Sequence, residues 1–267
     1  MKKPIIFIGG AARSGTTLLR VILDSHPIIA CGPEFKISQL IAQQWYDFQT
    51  KYFHIFKELY VTHEDINRIF KNFIISFLEK NCIHEKKQRI AEKTPNNINI
   101  FLHLHEIFPT SPLIHVIRDG RDVIASLMTM KWKNPLGKPL EYTQDIEKAA
   151  QFWVSTVTIG KNFLKSSPTV SNVYYEVRYE DIVRKPEECL SQLFDFIDEP
   201  WDPVVLKYYN KDRKLANESS AEQVTQQLYT SSIGRWKNDF SVDDKNKVKR
   251  IAGKLLVELG YANDFNW

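Results

Sequence analysis

The chain has 267 residues, 43% of them hydrophobic, enough to bury a sizeable core, and 36 Lys and Arg against 32 Asp and Glu leave a net charge of only +4. That surplus favours an anionic cofactor or an acidic acceptor, but it is too small to argue for nucleic acid, and no apolar run approaches membrane-spanning length, so neither a nucleic acid nor a membrane is an expected partner. Cys31, Cys82 and Cys189 lie far apart and suit reduced, buried thiols; Met1-Lys2-Lys3-Pro4 leads into the first apolar run with no signal-peptide pattern, so a cytoplasmic location is expected if the chain is whole.

Ile5 to Ile8 predict a short buried strand that Gly9 and Gly10 interrupt. Leu18, Leu19, Ile22 and Leu23 then recur at helical spacing as far as His26-Pro27. A strand passing through a glycine turn into a helix N-terminus converges backbone N–H groups and forms an anion cradle. Gly10 and Gly15 match the outer spacing of a phosphate loop, yet Thr16 stands where such a loop carries Lys, and Thr17 follows it. A nucleoside triphosphatase uses that Lys together with a metal ion. Here the fixed charge is Arg13, and an arginine with two hydroxyls suits a 5′-phosphosulfate, whose sulfuryl group carries less charge than a phosphoryl group.

Between Ile37 and Lys80 the chain is rich in aromatics, among them Trp45, Tyr46, Phe48, Tyr52, Phe53, Phe56 and Tyr60. Packing explains most of these, and a minority are expected to line an acceptor entrance. Three further apolar runs end on polar groups. Arg89-Ile90-Ala91 leads to Glu92-Lys93-Thr94-Pro95, Leu113 to Ile117 leads to Arg118-Asp119-Gly120, and Val173 to Arg178 leads to Tyr179-Glu180-Asp181. Ligands of open parallel sheets bind outside the carboxyl ends of the strands. Four strand ends delivering Arg13, Lys93, Arg118 and Tyr179 therefore imply one anionic, ring-bearing ligand. Pro186-Glu187-Glu188 opens a helix striped by Leu190, Leu193, Phe194 and Ile197, and a charged final helix runs from Asp243 to Leu259 before Gly260. The expected fold is α/β: a P-loop-like open parallel sheet with helices on both faces, in one domain with a helical insertion.

The first segment resembles the 5′-phosphosulfate loop of sulfotransferases that use 3′-phosphoadenosine 5′-phosphosulfate. Arg118 to Ser126 resembles that family's 3′-phosphate motif, with the Arg and Ser at the family spacing. Within the family the chain is most similar to the tyrosylprotein branch. Cys31-Gly32-Pro33-Glu34-Phe35-Lys36 resembles the segment carrying that branch's catalytic base, and Ser219 to Val224, continuing to Gly234-Arg235-Trp236, resembles its closing segment. The chain departs from the branch at Lys36, where an Arg is usual, and at Pro33 and Thr94, where acidic residues are usual. Ala91 replaces a cysteine, which leaves Cys31 without the branch's disulfide partner and fits a reducing compartment.

The resemblance implies a donor site formed by Arg13, Ser14, Gly15, Thr16, Thr17, Arg118, Ser126, Tyr179 and Arg235. It also implies a catalytic set of Glu34, Arg13, Lys93 and Ser220 and a product, 3′,5′-bisphosphoadenosine, with no metal required. Arg supplies a planar donor fork and Ser a single directed donor to one phosphate. Arg13, Lys93 and Ser220 would stabilise charge developing on the leaving 5′-phosphate. Glu34 would take the proton of an acceptor hydroxyl, although a carboxylate is a weak base for a phenol and needs burial or an adjacent substrate to serve. Two bland alternatives stand beside these roles: Glu34 as a loop carboxylate paired with Lys36 or Arg13, and Asp119 and Asp122 pairing Arg118 or Arg121 locally. Should Glu34 fail as base, His26 and His115 come next. The acceptor is a peptide tyrosine in the first reading and a small phenol, alcohol or carbohydrate in the second. A kinase-like phosphoryl transferase with Asp119 on Mg²⁺, or a non-catalytic nucleotide-binding module, are more remote readings. The sequence leaves monomer and homodimer both open.

Overall fold

The computed structural model describes residues 3–166, 168–211 and 220–267. Five parallel strands form one sheet: β1 (Ile6–Gly10), β2 (Ile29–Cys31), β3 (Arg89–Lys93), β4 (Leu113–Ile117) and β5 (Tyr174–Arg178), in the spatial order β2-β3-β1-β4-β5. Eleven α-helices accompany them among the described residues. In chain order they are α1 (Thr16–Ser25), α2 (Ser38–Gln49), α3 (Phe53–Glu58), α4 (His63–His84), α5 (Phe101–Ile107), α6 (Gly120–Met128), α7 (Ile146–Ser166), α8 (Tyr179–Arg184), α9 (Pro186–Phe196), α10 (Trp236–Asp239) and α11 (Val242–Glu258). The expected P-loop-like parallel sheet with helices on both faces is what the chain forms. The insertion is α2 to α4, placed between β2 and β3.

β1 shows why the layers close. Its side chains alternate, so Ile6 and Ile8 join a core with α1, α8 and α9, while Phe7, with Ile5 just before the strand, joins one with α2, α4 and α5. A third cluster, centred on Trp153 and Leu256, packs α6, α7, α10 and α11 together. Capping boxes at Thr62/Asp65 and Ser241/Asp244 start α4 and α11 by satisfying the first free N–H groups.

One sequence expectation changes, and one strand goes unanticipated. Gly9 and Gly10 do not end β1 but continue it, pairing with His115 and Val116 of β4. Gly9 is there for close approach: a Cβ would lie 2.5 Å from the Ile98 backbone N. The edge strand β2, three residues long, gave no periodic signal, yet it delivers the chain to Glu34. Elsewhere shifts are small: β5 begins at Tyr174 and α11 spans Val242–Glu258. Cys31, Cys82 and Cys189 are free and buried, as the sequence implies.

Candidate active site

The carboxyl ends of β3, β1, β4 and β5 lie side by side, and a cavity of about 860 Å³ opens over them. Its floor is the turn between β1 and α1. Gly15 caps α1 with φ 96°, and a Cβ there would sit 2.5 Å from the Tyr179 ring, so glycine is required both for the turn and for the ring. Arg13 also has positive φ, 72°, a conformation costing about 1 kcal/mol or more for a residue with a Cβ. Its guanidinium is anchored in return: Nε donates to Ser126 Oγ at 3.0 Å and an Nη to Ser220 Oγ at 2.8 Å.

Arg118 leaves the end of β4 and donates to the Arg13 carbonyl at 3.1 Å and the Ser232 carbonyl at 2.6 Å. It lies 4.3 Å over the Tyr179 ring, whose hydroxyl meets Ser232 Oγ at 2.6 Å. Arg235 lines the same wall and pairs with Asp239 at 2.7 Å. Burial lowers the pKa of Arg13, and the nearby charges of Arg118 and Arg235 lower it further. The Nε of Arg118 is buried with no hydrogen-bond partner among the described residues. Three clustered guanidiniums, one with an orphaned donor, fit a polyanionic ligand with a ring against Tyr179.

On the other side of the turn, Lys93 ends β3 fully buried, and its Nζ donates to Glu34 at 2.6 Å and to Thr17 Oγ1 at 3.3 Å. Glu34 and Thr17 face the cavity, with Lys93 immediately behind them. The carboxylate thus pairs mainly with Lys93, not with Arg13, and Lys36 approaches it only to 3.9 Å.

Arg13, Gly15, Thr16, Thr17, Glu34, Arg118, Ser126, Tyr179, Ser220 and Arg235 all line this one cavity. Ser14 does not: it is buried, and its hydroxyl has no partner among the described residues. Ser219 lies outside the described residues. His115 is buried in the sheet against Tyr174 and Gly160, and burial pushes its pKa down to about 3; His26 is buried with its ring on the Pro200 carbonyl. Neither lines the cavity. Asp119 is taken up by Arg121 at 2.7 Å, one of the local pairings foreseen, and Asp122 instead binds the backbone of a distant segment.

None of the aromatics named between Ile37 and Lys80 reaches the cavity. Its aromatic wall is Trp132, Tyr142, Tyr208 and Tyr229. Ser232 and these rings escaped the sequence reading. The available signal was the Lys131-Trp132-Lys133 run after α6 and the Tyr229 to Ser232 run inside the closing segment.

A family model described as "Sulfotransferase family" matches residues 4–203, and the chain belongs to that family. It is 30% identical over 270 residues to protein-tyrosine sulfotransferase A of Caenorhabditis elegans, covering 98% of this chain and 68% of that protein. It is 28% identical over 267 residues to the protein-tyrosine sulfotransferase of Drosophila melanogaster, covering 97% of this chain; the chain spans about half of that relative, 52%. Among solved structures, the sulfotransferase domain from the curacin biosynthetic pathway aligns with TM-score 0.65 at 23% identity, over 95% of this chain and 97% of that one, a likeness of fold.

Proposed function

We propose that this sulfotransferase moves a sulfuryl group from 3′-phosphoadenosine 5′-phosphosulfate to an acceptor hydroxyl, that of a peptide tyrosine, by in-line displacement with Glu34 as base. The observation carrying the reading is the Lys93–Glu34 pair at 2.6 Å, set beside the same turn that carries Arg13 and that Arg118 flanks. The tyrosine acceptor is supported by the names of the relatives, both protein-tyrosine sulfotransferases.

The bound donor would supply the sulfuryl group and, as leaving group, 3′,5′-bisphosphoadenosine. In this reading Arg118 and Ser126 hold its 3′-phosphate, Thr16 and Thr17 its 5′-phosphate, and Tyr179 its ring. Arg13, Lys93 and Ser220 stabilise the oxygen from which sulfur departs. Glu34 accepts the hydroxyl proton as the new S–O bond forms and the old one breaks. Ser126 and Ser220 both accept from Arg13, so these hydroxyls and the guanidinium act as one wall.

Calorimetry tests the donor. The bisphosphate is expected to bind at least about tenfold more tightly than AMP, since the extra phosphate gains charge-assisted hydrogen bonds, and Arg118→Ala should erase most of that difference. Equal affinity for the two nucleotides refutes the 3′-phosphate assignment.

A further inference from the structure

Glu92 has no part in the chemistry above, yet it is almost fully buried, 3% exposed, beside Lys93. Adjacent residues of a strand point to opposite faces. Lys93 turns to the carboxylate of Glu34; Glu92 turns the other way and accepts the backbone N–H of Phe35 at 3.1 Å. The two neighbours on β3 therefore grip the two neighbours of the base loop, one by the side chain and one by the backbone.

Glu92 is itself held. It accepts Thr94 Oγ1 at 2.6 Å and the side-chain amide of Asn97. Asn97, fully buried, also donates to the Ile8 carbonyl of β1 at 3.2 Å and accepts Ser38 Oγ at 3.0 Å, while the Ser38 backbone N–H donates to the Phe35 carbonyl at 3.0 Å. Both backbone polar groups of Phe35 are thus fixed to β3, β1 and the start of α2. Burial pushes the Glu92 pKa up, and the bonds from Thr94, Asn97 and Phe35 and the Lys93 charge oppose that rise.

We propose that Glu92 is the positioning residue for the base: through the Phe35 N–H it sets the Glu34 carboxylate against Lys93 and the acceptor. The inference rests on Glu34 being the base. A carboxylate on a side chain with three rotatable bonds is directed only if the backbone beneath it is fixed, and misplacement by about 1 Å can cost about 10²-fold in rate.

The test is a double-mutant cycle on the full chain with Glu92→Gln, Glu34→Gln and the pair, reading kcat and, by calorimetry, the Kd of the bisphosphate. Glu92→Gln should lower kcat about 10–10²-fold with Kd changed less than about threefold, and Glu34→Gln should lower it about 10²–10⁴-fold. The double variant should be no slower than Glu34→Gln alone, because a residue acting only through the base has nothing left to position. Glu92→Asp, which keeps the carboxyl group and withdraws it by one methylene, is the second variant, expected to lower kcat with Kd preserved. Losses that multiply in the double variant, losses of Kd and kcat in proportion, or wild-type turnover in both Glu92 variants while Glu34→Gln is impaired, overturn the positioning role alone. Wild-type turnover by Glu34→Gln overturns the assignment of the base, and the positioning role with it.

Discussion

Lys93 is the residue on which the site turns. A fully buried ammonium costs several kcal/mol to desolvate unless it is paired and hydrogen-bonded, and its contacts to Glu34 and Thr17 lie on the cavity side. In the proposed reaction a cation held there without solvent would meet charge that develops only during transfer, when it is worth more than in water. Lys93→Ala is therefore expected to lower kcat about 10²-fold or more while the bisphosphate Kd moves by less than about threefold. Steady-state kinetics beside calorimetry reads the split, and a proportional loss of both would make Lys93 an ordinary donor-binding group. Arg13, Lys93, Arg118 and Tyr179 were legible in sequence because each closes or follows an apolar run, and parallel topology then brings such ends together. The Lys93–Glu34 pair was not, because its members are 59 residues apart and meet only once β2 lies beside β3.

Among the elements, α6 does more than carry Ser126. Asp122 in its first turn is completely buried and accepts the backbone N–H groups of Gly234 at 2.7 Å and Trp236 at 3.2 Å. It fastens the segment whose Ser232 and Arg235 complete the wall around Arg118. Arg121 of the same turn sits 4.3 Å over the Trp236 ring and 4.8 Å over that of Trp267. Removing the Asp122 carboxylate leaves the buried Trp236 N–H, worth about 1–3 kcal/mol, and the half-buried Gly234 N–H without their acceptor, so the segment should shift. Asp122→Ala is expected to weaken bisphosphate binding about tenfold or more and to change kcat at saturating donor far less. Unchanged affinity would mean the segment holds its place without the clamp. In sequence Asp122 reads as a partner for a neighbouring arginine; only the folded chain brings in a segment 112 residues away. At shorter range β1 behaves alike: Gly9 and Gly10 look like a strand's end yet stay paired with β4, and both are glycines because a Cβ would run into the backbone of Ile98 or Val116.

At the scale of the molecule, the order β2-β3-β1-β4-β5 puts the turn between β1 and α1 in the middle of the sheet, with Lys93 to one side and Arg118 and Tyr179 to the other. Strand-end chemistry and helical periodicity are local patterns, and they made the fold class readable. The cavity's aromatic side was not readable, because Trp132, Tyr142, Tyr208 and Tyr229 come from loops and short helices with no periodic signal, while the richer aromatic stretch of the insertion packs elsewhere. In the proposed reaction this cavity transfers sulfuryl from a 3′-phosphorylated adenosine donor to a hydroxyl. The direct measurement is turnover of radiolabelled 3′-phosphoadenosine 5′-phosphosulfate against tyrosine peptides, small phenols, alcohols and sugars, with the Glu34→Gln chain alongside. Label on the tyrosine hydroxyl of a peptide, lowered about 10²–10⁴-fold in the variant, is the predicted result. Tight binding of the bisphosphate with no label on any acceptor would contradict the account and make the chain a nucleotide-binding module without transfer.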